Sequence, residues 1–407
     1  MKFNIWKDYP RKPLPELLSF IVDNRGKSVP TSEDGTHILI ATNCIRNENL
    51  YPTYEKVRYF SDDVYNTWFR AHPIPGDIIF VNKGTPGRTC LVPDPIDFSI
   101  AQDMMAFRTN EKVLHNRYLL CVLRSHEIQE QIRLCSVGDT IPHFKKQFLD
   151  QLMIPIPPLE VQKCIADMYF GFSDKIALNQ QINKNLEEQI RSRLSQMLSN
   201  AKVAHAKLGE YLYIKGRIGW KGLKKSEYLD YSPYRIINGE SLTKNGIDWN
   251  KAGYISKERY LESPEIMLQV GDILMSKDGT IGKIGYIDSL DAPTSVASGI
   301  FVIRNQQPEI ISTVFIYFIF LSSWFNQFIV ARTEGSVIPH LYQKDFMEFE
   351  FPMPSLTEMK RFDKIAIPMF DTIINNLSMN KKLAAIRDAL LPRLMSGEID
   401  VSGIEIK

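Results

Sequence analysis

The chain says one thing twice. Ile154-Pro155-Ile156-Pro157-Pro158-Leu159 returns as Phe351-Pro352-Met353-Pro354-Ser355-Leu356, with Pro155 and Pro352 197 positions apart. At the same displacement Gly138-Asp139-Thr140-Ile141-Pro142-His143 returns as Gly335-Ser336-Val337-Ile338-Pro339-His340, and Asn183-Lys184-Asn185-Leu186 as Asn380-Lys381-Lys382-Leu383. Upstream the displacement slips to 195 for Gly76-Asp77-Ile78-Ile79 against Gly271-Asp272-Ile273-Leu274, and to 196 for 99–108 against 295–304. Each repeat is domain-sized, so the fold must be one module plus one helix, used twice.

Within a repeat, short apolar runs alternate with Gly/Pro-rich loops and one packed helical stretch, which indicates a mixed α/β module. In the first copy Pro13–Val22 reads as a short helix or turn, and His37–Ile45 as a strand with Asn43, Arg46 and Asn47 at its exit. Asp77–Val81 reads as a strand that runs into Asn82-Lys83-Gly84-Thr85-Pro86-Gly87-Arg88.

Two long helices follow the Pro-rich entries. Ile165, Phe172, Ile176, Ile182, Leu186, Ile190 and Leu194 recur in steps built from threes and fours, and so do Phe370, Ile373, Leu377, Leu383, Ile386 and Leu390. One apolar stripe on a long polar helix needs a partner, and the other copy is the nearest one. Gly171 and Pro368, also 197 apart, predict a break in each helix. Residues 174–200 would span about 40 Å at 1.5 Å per residue, close to one turn of DNA at about 34–36 Å. Paired antiparallel as a coiled coil, the helices would separate two modules related by a pseudo-twofold axis. The expected organisation is therefore a first module over 1–153, a first spacer helix region over 154–200, a second module over 201–350, and a second spacer region with the tail over 351–407.

Net charge is +2, so a basic surface must be local; residues 201–260 hold 12 Lys and Arg against 6 Asp and Glu. Cys44, Cys90, Cys121, Cys135 and Cys164 are odd in number and lack CxxC spacing, which points away from disulfides or zinc and toward a reducing cytoplasm. Met1–Arg11 has no apolar signal core. Ile310–Val330 has the length and apolarity of a membrane span, but its mate Val113–Arg133 carries Arg117, Arg124, Glu127, Glu130 and Arg133. Both are expected to be packed helices, and no membrane partner is expected.

Candidate nucleic-acid contacts follow from residue type and place. Lys83, Thr85 and Arg88, and in the second copy Lys277, Thr280 and Lys283, lie in glycine-bearing loops after the Gly-Asp-Ile strand. There the backbone can approach phosphate and cations can neutralise it. Asn43, Arg46, Asn47, Lys221, Lys224, Lys225 and Asn238 are candidates for base edges or backbone, since Asn pairs with adenine and Arg with guanine. Each could equally be an ordinary solvated polar residue. His143 and His340 read as structural hydrogen-bonders in a turn. No phosphate-binding P-loop, nucleophile elbow, His-Glu-x-x-His pair or cysteine-histidine cluster is present, so an enzyme is not expected and no metal site is assigned.

Taken in order, the doubled Gly-Asp-Ile strand, the glycine-basic loop, the Ile-Pro-His turn, the Pro-x-Pro-x-Leu entry and the Asn-Lys-x-Leu helix resemble the specificity subunit of type I restriction-modification systems. The resemblance covers both repeats. It implies a non-catalytic subunit with two target recognition domains and two spacers paired as an antiparallel coiled coil. Its implied partners are duplex DNA, two methyltransferase subunits and two restriction subunits. S-adenosylmethionine, ATP and Mg belong to those partners, and this chain has no cofactor of its own. Residues 217–228 (Arg217-Ile218-Gly219-Trp220-Lys221-Gly222-Leu223-Lys224-Lys225-Ser226-Glu227-Tyr228) also resemble a recognition-domain opening, whereas the first copy opens with Arg25-Gly26-Lys27-Ser28-Val29-Pro30. Unlike openings imply unlike half-sites. The alternative is a protein-interaction scaffold with two duplicated ligand-binding modules, which would show no salt-dependent affinity for duplex DNA.

Overall fold

The computed structural model describes residues 4–24, 26, 28–138, 140–200, 204–218, 222–243, 246–333, 340–399 and 401. The chain divides into two compact units, Met1–Gln181 with Asn376–Lys407, and Ile182–Asn375.

The first unit contains β1 (Arg11–Pro13), β2 (Leu18–Val22), β3 (His37–Leu39), β4 (Arg58–Phe60), β5 (Ile78–Val81), β6 (Thr89–Leu91), β7 (Phe98–Ser99), β8 (Met104–Thr109) and β9 (Met153–Pro155). They form a four-stranded antiparallel sheet in the order β2-β8-β5-β6, a three-stranded sheet β4-β3-β7 in which β3 and β7 are parallel, and the pair β1-β9. The run Ile78–Val81 is apolar at every position because both faces are covered. Ile78 and Phe80 pack with α1 (Asn116–Arg124), while Ile79 and Val81 face Ile40, Cys90 and Val92. α2 (His126–Cys135) follows α1 directly.

The second unit repeats the plan strand for strand with β10 (Ala204–Lys207), β11 (Leu212–Gly216), β12 (Tyr234–Ile237), β13 (Gly253–Ile255), β14 (Ile273–Ser276), β15 (Ile284–Tyr286), β16 (Thr294–Val296), β17 (Ile300–Asn305) and β18 (Glu350–Met353). The sheets are β11-β17-β14-β15, β13-β12-β16 and β10-β18, with β12 and β16 parallel. A small hairpin, Leu242–Thr243 with Gly246–Ile247, is added.

Several expectations change. Pro13–Val22 is only partly helical: a 3-10 turn at Leu14–Leu17 gives way to β2, whose backbone pairs with β8. The strand at 37–45 stops at Leu39, because Thr42–Cys44 forms a 3-10 turn. The apolar stretch 310–330 splits into α4 (Thr313–Phe320) and α5 (Ser323–Thr333), which meet at 56° and bury Phe315, Phe318, Ile319 and Phe325 in the core of the second unit. Among the described residues no single helix is long and apolar enough to cross a membrane.

The predicted helix breaks are absent. α3 runs unbroken over Leu159–Asn200 through Gly171, and α6 over Leu356–Met395 through Pro368. An interior proline costs about 3 kcal/mol of helix propensity, and packing outweighs it here. Phe362, Ala366, Phe370 and Ile373 are buried on either side of Pro368 in one cluster with Ile190 and Leu194. Thr372 Oγ1 donates to the Pro368 carbonyl at 2.8 Å.

Within each unit the two helices pair antiparallel. In the first, Ile165 and Tyr169 share a cluster with Leu391 and Leu394, and Asn179 Nδ2 donates to Asn380 Oδ1 at 2.8 Å. In the second, Asn183 Nδ2 donates to the Ile373 carbonyl at 3.2 Å. Of the expected seam, Ile165, Ile176, Ile190, Leu194, Phe370 and Ile373 are buried, and Phe172, Ile182, Leu186, Leu383 and Leu390 are half-buried. Leu377 and Ile386 do not enter the seam between the two helices and lie exposed at 45% and 51%. On α3 the line 176, 179, 183 keeps the helical step better than 176, 182, 186, so Asn179 and Asn183 take seam positions there.

Candidate nucleic-acid interface

Each unit closes its Gly-Asp-Ile strand with the same hairpin. Val81 N–H donates to the Arg88 carbonyl and Gly87 N–H to the Val81 carbonyl; in the second unit Ser276 N–H donates to Lys283 and Gly282 N–H to Ser276, all at 2.9–3.1 Å. Gly84 and Gly87 have φ of 84° and 90°, and Gly279 and Gly282 of 65° and 83°. These turns need the left-handed region, which glycine enters without a Cβ penalty. The bonding sets Thr85 against Thr280 and Arg88 against Lys283, while Lys83 falls opposite Asp278 and Asn82 opposite Lys277. The duplicated element is therefore Gly-Thr-x-Gly-cation. Only one of the two cation pairs assigned to these loops is a true repeat.

The Ile-Pro-His turn braces this loop. Phe144 N–H donates to the Asn82 carbonyl at 2.7 Å and Gly84 N–H to the Pro142 carbonyl at 2.9 Å, matched by Leu341 N–H to the Lys277 carbonyl at 3.0 Å. His143 Nε2 lies 3.3 Å from Asn82 Nδ2, and His340 Nδ1 contacts Asp278 Oδ1. Asp139 and residues 335–339 lie outside the described residues.

Lys83 and Thr280 are exposed; Thr85, Arg88, Lys277 and Lys283 are half-buried. Lys277 Nζ stands 5.0 Å over the Phe301 ring, and Lys283 Nζ donates to the Gly239 carbonyl at 3.1 Å. Among the described residues none of Lys83, Arg88, Lys277 or Lys283 has a carboxylate partner. Unpaired cations on a rigid, glycine-shaped loop suit an anionic backbone.

Other candidates are used internally. Asn43 Nδ2 donates to the Glu55 carbonyl at 2.5 Å, Arg46 Nη2 reaches both Glu55 carboxylate oxygens at 2.9–3.0 Å, and Asn47 Oδ1 accepts from Thr89 N–H at 2.8 Å. Asn238 Oδ1 accepts from the Glu240 and Ser241 amides, closing a turn. Lys224 and Lys225 are exposed. Lys221 lies outside the described residues.

Sequence reasoning missed what holds the hairpin's base. Asp77, buried, accepts from Arg108 Nε and Nη2 at 2.9 Å each and from Ile74 N–H at 3.0 Å. Asp272, fully buried, accepts from Arg304 Nε at 2.7 Å and Nη2 at 2.8 Å and from Gln269 N–H at 2.7 Å. The hydrogen bonds that Arg304 donates to Asp272 hold its guanidinium above its ordinary pKa. Arg217 is also buried. It donates to the Val296 carbonyl at 3.2 Å, and burial pushes its pKa down. In the first unit Asn24 Nδ2 donates to the matching Ile100 carbonyl at 3.2 Å.

The family model described as the type I restriction modification DNA specificity domain matches twice, over residues 33–188 and 206–387. The chain belongs to the type I restriction-modification DNA specificity family. It is similar to the MjaVIII specificity subunit of Methanocaldococcus jannaschii, 21% identical over 75% of each chain. Its identity to the HindI specificity subunit of Haemophilus influenzae is 22%, over 80% of this chain and 86% of that one. The fold is shared with the crystal structure of an S subunit from M. genitalium at a TM-score of 0.58 and 16% identity, covering 97% and 98% of the two chains. As a type I specificity subunit it is a non-catalytic DNA-recognition component.

A second duplicated element of this specificity subunit lies further upstream. Tyr54-x-Lys56-x-x-Tyr59-x-Ser61 and Trp249-x-Lys251-x-x-Tyr254-x-Ser256 are displaced by the same 195 as the Gly-Asp-Ile strands. They place Tyr59 on β4 and Tyr254 on β13, each at the edge of its three-stranded sheet. The signal was in the sequence, diluted by loops of unlike composition.

Proposed function

We propose that this specificity subunit recognises a bipartite, asymmetric duplex target with one half-site per unit, and scaffolds methyltransferase and restriction subunits. One observation carries the reading: two units of identical strand order each present the Gly-Thr-x-Gly-cation hairpin with an unpaired Arg88 or Lys283, amid otherwise unlike loops. Repeated framework with unrepeated loops suits two phosphate contacts of one kind and two base readouts of different kinds. The spacer helices would set the distance between the half-sites. The exposed apolar residues on α3 and α6, Leu178, Leu377, Met379 and Ile386, would be covered by the methyltransferase subunits. In the assembly S-adenosylmethionine, ATP and Mg would be bound by the partners, in the cytoplasm.

The test is the methylome of a host carrying this chain with its methyltransferase subunit: a split motif with methyl-adenine on each strand is expected. A contiguous palindrome would end the reading. Arg88→Ala and Lys283→Ala, assayed singly in the methyltransferase complex, are each expected to lower the slope of log affinity against log salt by about 1 without altering the motif. Unchanged slopes would remove these loops from the interface. Leu377→Lys with Ile386→Lys is expected to leave the melting temperature unchanged and to weaken assembly with the methyltransferase subunit, measured by size-exclusion chromatography of the co-expressed proteins.

A further inference from the structure

In the second unit a cation is held between aromatic rings on the central strand of the three-stranded sheet. Arg235 on β12 lies across from Tyr254 on β13. Its guanidinium carbon stands 5.2 Å over the Trp249 ring and 5.7 Å over the Tyr254 ring, and Nη2 donates to the Trp249 carbonyl at 2.5 Å. Nε is buried without a hydrogen-bond partner, which leaves Nη1 and the second Nη2 hydrogen as the donors not engaged within the unit, and among the described residues no carboxylate pairs with the group. Tyr231 extends the ladder, 5.5 Å from Tyr254 and 78% exposed.

The basic opening of the second repeat brings Tyr231 there. Leu229 N–H donates to the Tyr254 carbonyl at 2.9 Å, so 228–231 runs beside β13 as Ser32 runs beside Tyr59 in the first unit. A Cβ on Gly253 would meet the Tyr228 ring at 2.7 Å, so only glycine lets the strands approach so closely. Lys224 and Lys225, on the same segment, are exposed and without an ion-pair partner among the described residues, while Glu227 is taken up by Arg259 at 3.0 Å. Asp230 is exposed and has no ion-pair partner among the described residues. In the register set by Ser32 and Leu229, Glu33 of the first unit matches Asp230, and Asp34 stands where the second unit has Tyr231.

A stacked guanidinium loses little freedom on binding, and its Nη1/Nη2 end can donate to the O6 and N7 of guanine. An exposed tyrosine beside it offers a ring for the sugar or base face, and flanking lysines suit phosphate. We propose that Arg235, clamped by Trp249 and Tyr254, reads a guanine in the half-site of the second unit, with Tyr231 packing alongside and Lys224 and Lys225 on the adjoining phosphates. This rests on the DNA-recognition reading and assigns its specificity in one half.

The experiment uses the full chain in complex with its methyltransferase subunit and compares wild type, Arg235→Lys, Tyr231→Ala and Lys283→Ala by target affinity and by the motif methylated in a host. Arg235→Lys keeps the charge and removes the fork. It is expected to relax one G·C position in one half of the motif and to weaken target binding about tenfold, leaving the other half intact. Tyr231→Ala, at a side chain standing in solvent, is expected to weaken binding about fivefold with no change in melting temperature. If both keep wild-type affinity and motif while Lys283→Ala weakens binding, the assignment of Arg235 falls and the DNA reading stands. If the wild-type complex itself shows no preference for any half-site, the reading fails first. Loss of the methyltransferase subunit from the Tyr231→Ala complex would also overturn the proposal, because the face would then dock protein.

Discussion

Asp272→Ala is expected to cost the second unit about 3–5 kcal/mol, the largest effect of any single substitution considered. The carboxylate is wholly buried and accepts three hydrogen bonds, two from Arg304 and one from the Gln269 amide that closes the turn before β14. Removing it strands a guanidinium whose side chain is only 27% exposed, so water recovers part of the loss and the lower half of the range applies. In calorimetry the unit should melt about 10 °C lower. Asp77→Ala should act alike in the first unit, where Arg108 is 30% exposed. Replacing both partners, Asp272→Leu with Arg304→Met, should recover most of the loss, because no charge is left unpaired. The pH behaviour follows in sign from the raised pKa of Arg304. A folded-state pKa above the unfolded one gives stability fully present below the unfolded arginine pKa and lost only as pH rises through the folded one, so the contribution of Arg304 is constant across the neutral range. An Asp272→Ala protein melting within 2 °C of wild type would mean that the Gly-Asp motif is not there to anchor the hairpin.

What could be read from the chain was what repeats in register. The Gly-Asp-Ile strand, the glycine-cation loop and the Ile-Pro-His turn were visible because their spacing is kept, and the structure joins loop and turn through Asn82 with Phe144 and Lys277 with Leu341. The role of Asp77 was not legible: its partner Arg108 is 31 residues away, and nothing local marks the pair. Gly171 and Pro368 misled because propensity is a local term, worth about 1 and 3 kcal/mol, against burial of Phe170 and Phe370 one and two residues away. The seam was misplaced for a related reason. Apolarity was taken as the mark of the buried line, yet Asn179, Asn183 and Arg387 are 1%, 9% and 2% exposed, satisfied by Asn380, Ile373 and Glu48. Buried polar groups that find partners carry no hydrophobic signal. Asn43, Arg46, Asn47 and Asn238 are engaged inside their own units for the converse reason: residue types that can read bases also close turns.

Separating the two half-sites of the target by one base pair at a time is expected to give a single sharp maximum of affinity. Each added pair moves one half-site along the axis by about 3.4 Å and turns it by about 35°, at 10–10.5 pairs per turn. Under bipartite recognition, the adjustment must come from the protein or from the DNA. On the protein side, α3 and α6 run without a break at Gly171 and Pro368, and the expectation is that helices of this kind yield less than the binding energy of a half-site. On the DNA side, duplex is stiff over so short a gap, and deforming it draws on the binding energy. One unit should therefore let go. Specific complexes bind about 10³–10⁷ more tightly than non-specific ones, so forfeiting one of two half-sites should cost about a hundredfold or more for a displacement of one pair from the optimum. Fluorescence anisotropy on a ladder of duplexes, at fixed salt and with the methyltransferase complex, measures this directly. A profile flat across three or four spacings would mean that the helices do not hold the two recognition surfaces at a set distance.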